Sequence, residues 1–150
     1  MKNLFALLAL GTLGLAACGA PADDTPETTP EAAAPAALGT VTIAEPANGS
    51  TVTGPNVTVR LTVTGVPILP AGDLTPGTGH HHLYLDADLA PAMVPVPTVP
   101  GSIVHMGNAA SEFTFEGVTP GQHRLIAVVA DGVHVPLNPP VMDTVTFTVN

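Results

Sequence analysis

"NVTVRLTVTG", residues 56–65, decides the fold. Val57, Val59, Leu61 and Val63 are apolar, and Thr58, Arg60, Thr62 and Thr64 between them are polar. A period of two is that of a β-strand with one buried and one solvated face. The same alternation returns in "MDTVTFTVN" (142–150), in "SEFTFEG" (111–117) and, more briefly, in "GTVTIAEP" (39–46). "HRLIAVVAD" (123–131) is apolar on both parities, as expected of a central strand covered on both sides. Helical periodicity is missing from this half of the chain, and Pro-Ala-Asn-Gly, Thr-Pro-Gly and Asp-Gly punctuate the runs. Short connections leave no room for crossover helices, so the expectation is an all-β fold: an antiparallel immunoglobulin-like β-sandwich of about seven strands. Six strands come from these runs and from a histidine-rich segment, and a seventh is expected around residues 101–106. The proline-rich stretch 87–100 reads as a long loop or an edge excursion.

Upstream of the sandwich the composition changes twice. "MKNLFALLALGTLGLAAC" (1–18) has Lys2, an apolar run from Leu4 to Ala17, and the chain's only cysteine. The run is short of the about 20 residues that cross a bilayer, and it has the build of a secretory signal helix. Leu15-Ala16-Ala17-Cys18 resembles the lipobox of bacterial lipoproteins, which implies a signal peptide over 1–17 and a lipidated Cys18. Gly19 stands where an aspartate would imply retention at the inner membrane, so the resemblance favours the outer membrane of a two-membrane cell envelope. Residues 18–38 are Ala, Pro, Thr, Asp and Glu with almost no branched aliphatic residue, and read as a disordered tether. The folded domain is expected over 39–150.

Charge excludes several functions. The chain carries a formal net charge of −9, and loss of the leader would remove Lys2, leaving Arg60 and Arg124 against 12 acidic residues. Binding to nucleic acid draws on Lys and Arg that displace counterions, so nucleic acid is excluded as a partner. Anionic lipid is not attracted either, which leaves the acyl anchor on Cys18 as the expected link to the membrane. The sequence names no protein partner. Enzyme chemistry lacks parts: Ser50, Ser102 and Ser111 are not in a nucleophile-elbow setting, and no phosphate loop or dinucleotide fingerprint is present. "DAD" at 86–88 lacks the further oxygen ligands of a calcium site. A non-catalytic role is expected.

What remains is histidine. In "PGTGHHHLYLD" (76–86), strand parity groups His81 with Leu83 and Leu85 toward the core, and sends His80 and His82 together to the other face. Histidines at i and i+2 are about 7 Å apart along a strand, close enough for both imidazoles to reach one copper or zinc ion. A site needs more ligands. His134 in "DGVHVPLNPPV" and His105 in "GSIVHMGN" read as loop residues able to approach the same end of the sandwich. His80, His82, His105 and His134 are therefore the expected metal ligands. His81, Met106, Asp86 and His123 form a second tier, with His123 expected near the opposite end. The competing reading is a hydrogen-bonded structural cluster in a metal-free interaction or scaffold module.

"GTGHHHLYLD", "HMGNAASE", "TPGQHRLIAVVAD" and "HVPLNPPVMDTVTFTV" together resemble a bacterial secreted domain of unknown function. Its members carry Gly-x-Gly-His-His-His-Leu, His-Phe-Gly, Pro-Gly-x-His and His-x-Pro-His-x-Pro-Pro-Val in that order. The resemblance covers roughly Pro76 to Asn150 and implies that His80, His81, His82, His105, His123 and His134 are motif positions. This chain departs from the pattern at Leu137, where the family has histidine, and at Met106, where it has phenylalanine.

Overall fold

The computed structural model describes residues 39–150. The expected signal peptide (1–17), lipidated Cys18 and tether (18–38) lie outside the described residues. Among the described residues eight strands follow one another: β1 (Thr40–Glu45), β2 (Thr51–Val52), β3 (Val57–Thr64), β4 (His80–Leu85), β5 (Ile103–Met106), β6 (Glu112–Phe115), β7 (Gly121–Ala130) and β8 (Met142–Val149). They form two sheets, one of three strands in the order β1-β3-β6 and one of five in the order β2-β8-β7-β4-β5. All neighbours are antiparallel except β2, which runs parallel to β8 for two residues. This is the antiparallel β-sandwich expected, with β2 as an addition. Two residues are too few to leave a periodic signature in the sequence.

Alternation dictates how the sheets face each other. Val57, Val59 and Leu61 of β3 point inward with Val41, Ile43 and Phe115, and meet Leu83, Leu85, Leu125, Ala127, Val129, Val145, Phe147 and Val149 of the larger sheet. Burying a valine or leucine in this way contributes about 1.5–3 kcal/mol each. β7 lies between β8 and β4, which explains its apolar residues on both parities. Its other face, Ile126, Val128 and Ala130, forms a smaller cluster with Tyr84, Ile103 and Val96.

Val96 comes from the proline-rich stretch. Residues 87–100 form no strand, yet they do not stand away from the body: Val96 is buried at 6% exposure against the outer face of the larger sheet. Its N–H donates to the carbonyl of His134 at 2.8 Å, and Ile103 N–H donates to Val99. The stretch is a strap over the outer face, which is why both faces of β4 are buried along its whole length.

Candidate metal centre

Strand register brings the histidines together. β4 starts at His80, and the backbone before it enters through Gly79, where a Cβ would come within 2.5 Å of the Ala130 carbonyl oxygen. Only glycine allows that approach. His82 pairs with His105 across β4 and β5. Paired residues share a face, so His105 joins His80 and His82 on the outer side. His105 is thus a strand residue and not, as its glycine-flanked surroundings suggest, part of a loop. Gly107 follows it closely: a Cβ there would lie 2.7 Å from His105 Nε2. The His105 ring is packed against bare backbone.

His134 arrives from the loop after β7. Asp131 shapes that loop by accepting the N–H groups of Val133 and Val135 on one carboxylate oxygen, and the His134 N–H donates to the Asp131 carbonyl. His134 itself has a left-handed backbone, φ 71°. Such a conformation is uncommon for a non-glycine residue and is found disproportionately at functional positions. The strap fixes the loop through Val96.

Four imidazoles result in one small volume. Ring centroids are 4.8 Å apart for His80 and His82, 4.8 Å for His80 and His105, 5.0 Å for His82 and His105, and 4.5 to 5.6 Å from His134 to the other three. One ligand nitrogen each from His80, His82 and His105 lies within 4.8 Å of the others, so these three could hold a metal ion. His80 Nε2 and His82 Nε2 are 3.0 Å apart. Two nitrogens on a tetrahedral zinc, each about 2.0–2.1 Å from the ion, are separated by about 3.3 Å. Small ring rotations would bring the pair to that spacing. His80 and His82 are fully buried, and His105 and His134 are half-buried, which leaves the approach on the latter side.

The cluster is poor in hydrogen bonds. His80 Nδ1, His82 Nδ1 and His105 Nε2 are buried without a hydrogen-bond partner among the described residues. Such groups are costly in a protein interior unless something satisfies them. Burial and charge keep the rings of His80, His82 and His105 neutral. Burial, and then repulsion of a His80 charge by His105 and by His134, pushes His80 down to about 4, opposed by the charge of Asp131. Burial and the neighbouring histidines push His82 down to about 3. His105 is lowered by burial and by His134. Neutral imidazole is the form that ligates copper and zinc, so His80, His82 and His105 are in that form at neutral pH.

The second-tier candidates go elsewhere. Met106 pairs with His81, and both face the inter-sheet core, so neither reaches the four-ring cluster. His81 Nδ1 donates to the Ala110 carbonyl at 2.9 Å, a bracing role. His123 lies at the far end of β7 beside Phe147, and Asp86 belongs with it: His123 Nδ1 donates to Asp86 Oδ2 at 2.6 Å. Leu137 packs against the inter-sheet core, so the departure from the family histidine sits in apolar surroundings. Sequence reading did not find the Asp86–His123 pair, because 37 residues and a left-handed turn at Asp86 (φ 53°) separate the partners.

Residues 59–150 match the family described as Domain of unknown function (DUF4399). No curated protein matches the chain. Among solved structures, the crystal structure of an engineered protein is similar at 14% identity and a TM-score of 0.42, over 75% of this chain and 20% of that one. That likeness is too loose to extend to fold or function.

Proposed function

The chain belongs to the DUF4399 family, and on that premise we propose that it is a non-catalytic transition-metal-binding protein of the bacterial cell envelope, anchored through a lipidated Cys18. Copper or zinc is held by His80, His82 and His105 on the sheet, with His134 closing the coordination from its loop. The observation that carries this reading is the convergence of four imidazole rings, from two adjacent strands and one loop, with centroids 4.5 to 5.6 Å apart. The donor chemistry supports it: neutral nitrogens suit borderline ions, and no carboxylate belongs to the triad. Rigid strands supply three donors, so the protein loses little conformational freedom on binding. The role that fits is sequestration or delivery.

Calorimetric titration of the full chain with Zn(II) and Cu(II) tests the reading. One ion per chain is expected, and His80→Ala with His82→Ala should abolish binding. Binding that survives in the double variant sinks the assignment, and leaves a metal-free interaction module with bracing histidines. Anchoring is tested separately: Cys18→Ser should move the protein from the membrane fraction to the soluble one.

A further inference from the structure

The outer face of the larger sheet carries a second set of donors that the histidine centre does not use. Register aligns His105, His82, Val128 and Met142 in one row across β5, β4, β7 and β8. Neighbouring strands are about 4.8 Å apart, so Met142 is roughly 10 Å from His82 on the same face. Met142 is 39% exposed and lines a cavity of about 270 Å³ together with Met93, Tyr84, Val128 and Asn138.

Met93 is brought there by the strap. It is 71% exposed, and its backbone is left-handed at φ 65°. An unbranched apolar residue in that conformation is held at a cost of order 1 kcal/mol, which places an unfavoured side chain in solvent for no packing gain. The chain has four methionines in all. Met1 lies outside the described residues, Met106 is buried in the inter-sheet core, and the two that reach solvent line the same cavity. Among the described residues no carboxylate lines it. Hard cations require oxygen ligands, whereas thioethers in carboxylate-free surroundings select soft monovalent ions.

We propose that Met93 and Met142 form a receiving site for a soft monovalent ion of the Cu(I) class, which passes the ion on to the histidine centre. The passage rests on the metal-binding reading of the histidines; the thioether site does not. Transfer is ligand exchange at constant oxidation state: sulfur contacts break as imidazole contacts form, the Nε2 proton shared between His80 and His82 leaves for solvent or a ring Nδ1, and no electron has to move.

The experiment uses the full chain in detergent micelles, labelled with ¹³C-methyl methionine, and Ag(I) as a redox-inert probe. The histidine centre is first filled with Zn(II). Added Ag(I) should shift the methyl resonances of Met93 and Met142 and leave Met106 unmoved. Met142→Leu, close in volume and so compatible with the fold, should weaken Ag(I) binding by about tenfold and leave Zn(II) affinity unchanged. Methyl resonances of Met93 and Met142 that stay in place would overturn the proposal, as would Ag(I) affinity indifferent to the combined Met93→Leu and Met142→Leu changes. The passage is read separately as the rate at which chelated Cu(I) loads the histidine centre. Slower loading in Met142→Leu supports it, and an unchanged rate removes it. If Zn(II) fails to bind while Ag(I) still moves the two methyls, the histidine reading fails and the thioether site stands.

Discussion

At one end of β4 four imidazoles face one another; at the other, beyond Leu85, a single imidazole faces a carboxylate and a carbonyl. His80 and His82 are surrounded by other histidines, and burial holds them neutral. His123 is nearly as buried, at 8% exposure, but its Nδ1 donates to Asp86 and its Nε2 donates to the Thr119 carbonyl at 2.7 Å. Burial alone would lower its pKa; the hydrogen bonds to Asp86 and Thr119 and the charge of Asp86 outweigh that, and the pKa is raised. A carbonyl oxygen only accepts, so Nε2 carries a proton, and with Asp86 ionised Nδ1 donates as well; the contacts thus favour the imidazolium form, in line with the raised pKa. One residue type, in one sheet, is thus set up for two tasks by its acceptors. The neutral rings have lone pairs to offer an ion; the cation has none.

The largest way to break this comparison is acid. A group whose native pKa is depressed stabilises the fold above its unfolded value, and that contribution is lost as pH falls through the native one. For His80 the window runs from about 6.5 down to about 4, and for His82 to about 3. Metal-free protein should therefore lose several kcal/mol of stability between pH 6.5 and 4, the two rings contributing on the order of 3 kcal/mol each. Urea midpoints at pH 7.5, 5.5 and 4.5 measure it. Zn(II) should oppose the loss at pH 5.5, because an ion that binds only the native state holds the rings unprotonated. A flat profile between pH 7.5 and 4.5 would show that the His80 and His82 rings are not closed off from water.

The other end should respond in the opposite sense. His123 has a raised pKa, so its contribution is complete below about 6.5 and fades as pH rises through the native value. Asp86→Asn keeps the shape but removes the charge, and should cost about 1–2 kcal/mol at pH 6 and less at pH 9. Metal affinity should not change, since Asp86 and His123 do not belong to the cluster. Equal loss at both pH values would mean that the pair is not an ion pair in solution.

A third change separates ligand position from ligand identity. Gly107→Ala puts a methyl where the His105 ring lies, 2.7 Å from its Nε2. The ring sits at the end of a side chain and is able to swing, so the fold should be little affected. The histidine set is intact but displaced, and Zn(II) affinity should fall by about tenfold, or 1.4 kcal/mol. Unchanged affinity would show that His105 is not a ligand.

These effects mark what was legible in the sequence. The two-residue period in 56–65 and 142–150 dictated strands and their inner faces, because alternation leaves one way to bury Val57, Val59 and Leu61. The same parity separated His80 and His82 from His81 before any coordinates. Met106 was open to the same logic once His105 is on a strand: adjacent residues point to opposite faces, so a cluster that holds His105 excludes Met106. What hid this was the setting of "GSIVHMGN", four strand residues between glycines, where a strand and a loop look alike. The strap was hidden for another reason. Val96 is buried through contacts with strands before and after it, and proline content records only that residues 87–100 form no ladder. Long-range pairs such as Asp86 and His123 leave no local mark at all.

The smallest effect is the sharpest control on the second end of the comparison. Arg124 also contacts this region: its guanidinium donates to the Ala87 carbonyl and to Asp88 Oδ1 at 2.6 Å. On distance alone the Arg124–Asp88 pair equals His123–Asp86. Exposure distinguishes them, since the Asp88 side chain is 94% exposed and the Arg124 side chain 43% exposed. Water and salt screen such a pair, and holding two flexible side chains together offsets most of what attraction is left. Asp88→Asn should therefore change stability by no more than about 0.5 kcal/mol, a difference that disappears in 0.5 M salt. If it instead matched Asp86→Asn, the anchoring of the strap would lie with the arginine, and the cationic His123 would have no structural task to set against the neutral cluster at the other end.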